Sequence, residues 1–314
     1  MNCSLPTVSF VVPLFNQLHL TKVLLQSLLS TLPAGLVHEV LLADDASTDG
    51  TQQWLASLQH PNVKVLTSHA NTGFAANVNR GAMLATGDVL VLLNNDLVLQ
   101  QGWLEPLLAA LQTPGGRVGL VGNLQRRVDD GSLDHAGVRL NLAGQLEHIR
   151  TLCAAGVDSA PTRPALAVTG ACMLLQRADF VACGGFDERF RNGGEDMDLC
   201  FKLRQRGLRA VVATDSCVAH HVSASRGPAS PNDERNSRLL FHKWRNLLKQ
   251  ELASQWHPLL AKSGPYPELP EKLVDPAILH TPHLAARRLA EGILVRQERR
   301  WAELLGPMPP EHAR

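Results

Sequence analysis

The chain carries almost no excess of charge. Its 30 lysines and arginines against 29 aspartates and glutamates leave a formal +1, so bulk electrostatics make no case for nucleic acid or an anionic membrane as a partner. Any anionic partner must be met by local groups. The six cysteines, Cys3, Cys153, Cys172, Cys183, Cys200 and Cys217, form no C-x-x-C pair and no zinc-type spacing, and no basic segment leads into an apolar one at the N-terminus. The expectation is a reduced, cytosolic protein. No window approaches about eighteen uninterrupted apolar residues, so nothing is expected to span a bilayer, while attachment to a membrane surface stays open. No G-x-G-x-x-G follows the first apolar run, which counts against a nicotinamide-dependent oxidoreductase. Internal repeats and low-complexity tracts are also missing.

What the 314 residues do contain is an alternation of apolar runs and helical patterns, the signature of repeated βαβ units and a parallel sheet. "VSFVVPLF" (8 to 15), "HEVLLADD" (38 to 45), "VKVLTS" (63 to 68) and "DVLVLLNND" (88 to 96) are the predicted strands. The first is followed at once by Asn16, the second ends in Asp44 and Asp45, and the fourth ends in Asn94, Asn95 and Asp96. One polar ending reads as a turn. Several along one sheet edge read as a site, because ligands of open α/β sheets bind outside the carboxyl ends of the strands. Residues 123 to 165 are rich in Gly, Asp, Arg and Pro, which predicts short strands or an insertion across the sheet. A buried strand is predicted over 166 to 176, and a helix after "GGED" with Leu199 and Leu203 on one face. A polar, mobile loop is expected from 222 to 235, then helices over 236 to 253 and 283 to 305.

A leaving nucleoside diphosphate would explain the acidic endings. A hard divalent cation, Mg²⁺ or Mn²⁺, needs one or two protein carboxylates and takes its other ligands from phosphate and water. A neighbouring asparagine can add a carbonyl ligand or orient a sugar hydroxyl. If the nucleophile is a hydroxyl, it needs a carboxylate base within hydrogen-bond reach, and the acidic cluster Glu195 to Asp198 is placed to supply one.

The stretches "VSFVVPLFN", "EVLLADDASTDGT", "NTGFAANVNRG", "ATGDVLVLLNND", "TGACMLLQRADF", "GGFDERFRNGGEDMDLCFKLRQRG" and "VAHHVSAS" together resemble, in order and spacing, the inverting family 2 glycosyltransferases of GT-A fold. The closest likeness is to the bacterial rhamnosyltransferase-like branch, over roughly residues 7 to 225. The resemblance implies a Rossmann-like, mostly parallel sheet flanked by helices, with a C-terminal helical extension. It places Asp45 on the base or ribose with Pro13 and Asn16, and brings Asn71, Gly73 and Asn79 near the nucleoside. "NND" stands where the family has D-x-D, which makes Asp96 the metal ligand, with Asn94 departing from the pattern and Asn95 between. Asp196 becomes the catalytic base, Glu195 an acceptor-positioning neighbour, and His220 a histidine approaching the metal or diphosphate, followed by Ser225. Simpler readings stand beside these: Asp45 as a turn residue, Asp196 as a charge favoured at a helix N-terminus, His220 as a structural hydrogen-bonding group with His221 an equal donor. Asp198 reads as an exposed or salt-bridged helix residue, and Arg226 as a solvated arginine rather than a clasp on the diphosphate.

The implied organisation is a catalytic domain over 1–225, with a nucleotide-sugar half to residue 100 and an acceptor-side half beyond it, then a mobile loop and helical extension over 226–314. Processive synthases of this superfamily carry Q-x-x-R-W, whereas "LFHKW" puts Leu240 and Lys243 at the glutamine and arginine positions. A single-addition transferase fits better. The expected donor is UDP-, dTDP- or GDP-linked and the acceptor a glycan, lipid-linked or protein-linked hydroxyl, in cell-surface polysaccharide synthesis. Two alternatives are a sugar-phosphate nucleotidylyltransferase, whose Gly- and Arg-containing loop "PLFNQLHL" lacks, and a non-catalytic sugar-nucleotide binder. The segment 283 to 305 sets Leu284, Leu289, Ile293, Leu294, Trp301 and Leu304 on one stripe among arginines. It can pack on the parent domain or a second subunit of a homodimer, or lie on the inner face of the plasma membrane. The whole reading requires Asp96 and Asp196 to line one crevice.

Overall fold

The computed structural model describes residues 5–112, 117–152, 160–222, 231–262 and 281–308. The chain forms two compact units, Met1–Val138 with His148–Pro228, and Arg139–Glu147 with Ala229–Arg314. The first begins with the expected alternation: β1 (Val8–Leu14), α1 (Leu18–Thr31), β2 (His38–Asp44), α2 (Thr51–Ser57), β3 (Val63–Thr67), α3 (Phe74–Leu84) and β4 (Val89–Leu93). β1 and β4 are buried at every residue, as unbroken Val/Leu runs covered on both faces should be. α3 lies so close on β1 that a Cβ on Gly81 would stand 2.5 Å from Val11 Cγ1.

The chain continues through β5 (Leu97–Val98), α4 (Glu105–Leu111), β6 (Val118–Arg127), β7 (Leu133–His135), β8 (Val138–Leu140), β9 (Leu146–His148), β10 (Thr162–Ala165), β11 (Cys172–Gln176), α5 (Arg177–Ala182), α6 (Glu195–Gln205) and β12 (Arg209–His220). The irregular stretch from 123 to 165 thus resolves into short strands where it is described. The strand expected from 166 begins only at Cys172, because Thr169 to Ala171 turn instead and carry hydrogen bonds to other loops.

The main sheet runs β10-β12-β6-β11-β4-β1-β2-β3, with β5 added on β12 and β7 on β6. The ladders β1–β2, β2–β3, β1–β4 and β6–β12 are parallel, and β11 runs antiparallel between β4 and β6. After β3 the chain returns to the other side of β1 to make β4. The strand order therefore reverses between β1 and β4, and a crevice opens beyond their carboxyl ends. Pro13 marks the opening. The β1–β4 ladder ends at Val11 and Leu92, so the missing N–H of Pro13 costs no bond to β4, while β1 stays paired to β2 as far as Leu14 and Asp44. At the opposite sheet end Glu39 accepts from Ser9, Lys64 and Thr86. Burial raises its pKa, but these hydrogen bonds outweigh it and hold the carboxyl at about 2.

The second unit contains α7 (Pro231–Lys262), kinked at Trp244, and α8 (Pro282–Leu305). Residues 231 to 235, expected in the loop, are the first turn of α7. A leading proline and acids at 233 and 234 suit a helix N-terminus. The rest of that loop, with Ser225 and Arg226, lies outside the described residues. Leu289, Leu294 and Trp301 of the α8 stripe are buried, while Leu284 and Leu304 are exposed. Trp301 meets Phe241 of α7 edge-on at 4.9 Å and donates to Glu234 at 2.7 Å. No described helix is long and apolar enough to cross a membrane.

Candidate functional site

The crevice is built from the loops that follow β1, β2 and β4. Asn16 and Gln17 after β1, and Ala46 after β2, adopt left-handed φ angles near 60°, a conformation that ordinary residues hold only when their surroundings fix it. The surroundings are visible: Ser47 accepts from Asn16 N at 2.7 Å, and Asn16 Oδ1 accepts from Thr48 N at 2.8 Å. Asn95 Nδ2 donates across the strand reversal to Asn16 O and to Thr21 Oγ1 of α1. The amide group of Asn95 thus joins the β4 ending to the β1 ending.

Asp44 and Asp45 differ in use. Asp44 Oδ2 accepts from Ser47 N and Gln52 Nε2, while its Oδ1 is buried with no hydrogen-bond partner. Asp45 accepts from Thr72 N, Thr72 Oγ1 and Gly73 N, each at 2.8 Å, so its carboxylate grips the loop that opens α3. Gly73 sits at φ +90° with open space around a virtual Cβ. It is needed for its backbone angle rather than for a close approach. Asn71 Nδ2 reaches Asp45 O at 3.4 Å. The amide of Asn79 donates to Phe186 O and Glu188 Oε1 and accepts from Phe186 N, clamping the 186–188 turn to α3.

At the β4 ending Asp96 is 6% exposed, and its Oδ1 has no hydrogen-bond partner. His220 Nε2 lies 3.3 Å from that oxygen, out of line for a hydrogen bond, and His220 Nδ1 is likewise buried without a partner. Asn94 Oδ1 is a further buried acceptor without a partner. β5 explains the meeting of Asp96 and His220. Leu97 pairs with His220 in register, and His221 N donates to Asp96 O at 2.9 Å, so the backbone fixes which of the two histidines faces the carboxylate. Two cis ligands about 2.1 Å from an octahedral cation stand about 3.0 Å apart, so the observed spacing suits shared coordination. No group of three or more metal-type side chains occurs among the described residues. A cation held here by Asp96 and His220 would need its remaining ligands from a bound substrate and water.

Asp196 begins α6 after a turn in which Asn192, Gly193 and Gly194 all have positive φ. Glu195 is buried and accepts from Gly193 N at 2.7 Å, closing that turn. Asp196 Oδ2 accepts from Gly170 N at 2.9 Å, and Oδ1 from Met197 N at 2.8 Å. One residue along, Ala171 O accepts from Asn94 N at 2.8 Å. The loops bearing Asp96 and Asp196 are therefore joined through Asn94 and the 170–171 backbone. Asp198 is salt-bridged, the second of the two expected readings: it pairs with Lys202 at 3.2 Å and is fully buried.

Sequence reasoning passed over His135 and His148. Their Nδ1 atoms lie 3.3 Å apart and their rings meet edge-on. The available signal was the near-repeat "LDH" and "LEH" at β7 and β9. Burial holds His135 well below the ordinary imidazole value, with His148, His220 and Arg150 adding to the effect. Burial also lowers His148, against the opposing fields of Asp196 and Asp134.

Residues 9–162 match the family described as Glycosyl transferase family 2. Over 228 residues, 70% of this chain, the sequence is 34% identical to O-antigen biosynthesis protein RfbC of Myxococcus xanthus, of whose length the chain spans 18%. Over 216 residues, 61% of this chain and 69% of the other, it is 33% identical to N-acetylglucosaminyl-diphospho-decaprenol L-rhamnosyltransferase of Mycobacterium tuberculosis. Among solved structures, GalNAc-T7 with UDP, GalNAc and Mn2+ superposes with a TM-score of 0.67 at 18% identity, covering 98% of this chain and 59% of that chain. At that identity the likeness is one of fold.

Proposed function

The chain belongs to glycosyl transferase family 2 and has a GT-A-like fold, and from that premise we propose that it moves one sugar from a nucleoside-diphosphate donor to an acceptor hydroxyl with inversion at the anomeric carbon. The observation that carries the reading is Asp96 Oδ1, buried without a hydrogen-bond partner at the strand-order reversal, with His220 Nε2 3.3 Å from it. These two atoms would hold the divalent cation. Bound there, Mn²⁺ or Mg²⁺ offsets the charge that grows on the departing diphosphate. Asn94 Oδ1, a buried acceptor beside Asp96, takes a donor-sugar hydroxyl or a cation position.

The nucleoside lies across the β1 and β2 endings, where Pro13, Asn16 and the loop gripped by Asp45 form its walls. Asn71 and Gly73 belong to that loop. Asn79 acts at one remove, by fixing the 186–188 turn. Asp196 accepts the proton of the incoming hydroxyl on a lone pair left by its bonds to Gly170 and Met197, and Glu195 fixes the turn from which Asp196 projects. The name of the mycobacterial relative makes L-rhamnose and a lipid-linked diphospho-sugar the first donor sugar and acceptor to assay. The likeness to an O-antigen biosynthesis protein supports a cell-surface polysaccharide pathway. The exposed arginines of α8 are the surface that a membrane-borne acceptor would bring into play.

The test is release of nucleoside diphosphate from UDP-, dTDP- and GDP-sugars with and without Mn²⁺. Metal-dependent release from one donor is expected. Pyrophosphate release would indicate a nucleotidylyltransferase instead, and no release from any donor would leave a sugar-nucleotide binder.

A further inference from the structure

The backbone from His135 to Val138 is stitched on one side to Ile149, through Ala136 N to Ile149 O and Ile149 N to Gly137 O, and on the other to Ala167, through Val138 N. The second partner runs on to Thr169, whose N–H donates to His135 Nε2 at 3.4 Å, and to Gly170, whose N–H donates to Asp196. His148 and Asp196 are thereby anchored to neighbouring segments of one small network.

The hydrogen bonds fix where the protons are. A backbone N–H can only donate, so His135 Nε2 must be the acceptor nitrogen and its ring proton must sit on Nδ1. That proton points at His148 Nδ1 3.3 Å away, which must then accept. The remaining His148 proton is on Nε2, and that nitrogen has no hydrogen-bond partner among the described residues. His135 is fully buried, whereas His148 is only partly so. The relay therefore ends in a single unpaired N–H on a ring that feels the charge of the Asp196 carboxylate, a preset donor of the kind that positions a hydroxylated ligand.

We propose that His148 is a specificity-determining residue of the acceptor subsite: its Nε2–H donates to an oxygen of the acceptor sugar next to the attacking hydroxyl, and His135 is the positioning residue that orients it. The attacking oxygen keeps its lone pair for the anomeric carbon and gives its proton to Asp196. The neighbouring oxygen, held by His148, selects which hydroxyl faces that carboxylate. The inference rests on the glycosyltransferase reading for the identity of the ligand, and on the hydrogen bonds above for the direction of the donor.

Two measurements test it separately. The first is long-range ¹H–¹⁵N correlation of the imidazole nitrogens in the whole chain near neutral pH, with single His variants for assignment. A proton on Nδ1 of His135 and on Nε2 of His148 is expected. The opposite tautomer in either ring overturns the relay, whatever the enzyme does.

The second measurement is transfer from dTDP-L-rhamnose, or from the donor that the release assay selects, to a panel of octyl glycosides with Mn²⁺. His148→Phe should raise acceptor KM or cut transfer at least tenfold while acceptor-independent donor hydrolysis stays within about twofold. His148→Gln, whose Nε2 stands where the imidazole Nε2 stood, should restore most of the loss, and the ranking of acceptors should change in His148→Phe. Equal loss of hydrolysis and transfer, or no loss of either, overturns the assignment. If the parent chain itself releases no nucleoside diphosphate from any donor, it is the glycosyltransferase reading that fails, and the tautomers still decide the relay.

Discussion

Asp96 and His220 put opposite demands on one small volume. The buried Asp96 oxygen without a hydrogen-bond partner costs roughly 1–3 kcal/mol, a cost that a bound cation would offset. Asp96→Ala and His220→Ala should therefore each abolish most of the Mn²⁺-dependent rise in thermal midpoint seen with a nucleoside diphosphate. His221→Ala should leave that rise intact, since His221 meets Asp96 only through its backbone N–H. Equal effects at 220 and 221 would undo the assignment. Asp196→Asn keeps the shape and the bond to Gly170 but cannot take a proton, so donor binding should persist while transfer falls by roughly 10²–10⁴. Single-turnover transfer beside donor titration reads both.

The histidine pair makes a separate demand at this scale. In the unfolded chain each imidazole titrates near pH 6.5, whereas burial depresses His135 and His148 in the fold. Below about 6.5 the unfolded state binds protons that the folded state refuses, so their contribution is full above that pH and is lost as pH falls toward the folded values. Asp134 and Asp196 favour the charged form of His148, while Arg150 and His220 oppose it. Urea midpoints measured at about pH 7.5 and about pH 5.5 should fall in the parent, and fall less in His135→Phe, which removes one of the depressed groups.

Elements matter here mainly through their endings. β1, β2 and β4 are ordinary buried strands until their last residues, and Asn16, Asp45 and Asn95 then spend their polar atoms on tying one ending to the next. Asn79 does the same for α3 and the 186–188 turn, whose Gly185 would place a Cβ 2.5 Å from Asn79 Oδ1. Asn79→Ala should lower stability by about 1–3 kcal/mol, because Phe186 N and O lose their partner; urea denaturation measures it. The strands and the first helices were legible because apolar periodicity is local, and the acids at 45 and 96 were legible because polar residues end apolar runs. Asp196 was singled out instead by the acidic cluster that opens a helix and by the family resemblance. The hydrogen-bond partners of Asn79 and Glu195 were not legible. Their partners are chosen by loop geometry, which in the case of Asn79 spans more than a hundred residues of sequence.

For the molecule as a whole, the C-terminal unit poses a question of packing. Arg245 bonds Glu291 and Glu298, Lys249 bonds Glu291, and Arg300 with Trp301 holds Glu234. The three acids and Arg245 are partly exposed, so each pair contributes at most about 1 kcal/mol. The buried aromatic pair should dominate: Trp301→Ala should cost about 3–5 kcal/mol, measured as loss of helical circular dichroism at lower urea. The apolar stripe of α8 is covered at Leu289, Leu294 and Trp301, which leaves its arginines as the outward face.

The sequence by itself determined the alternating architecture, the sheet edge that would carry the site, and the acidic residues on that edge, because burial and chain reversal write themselves into the spacing of apolar and polar residues. Only the tertiary structure decided that His220 rather than His221 faces Asp96, that Asp45 holds a loop, and that His135 and His148 bring their Nδ1 atoms to 3.3 Å. Those outcomes depend on strand register and on which backbone N–H groups need acceptors, and both are set by pairings between segments far apart in the chain.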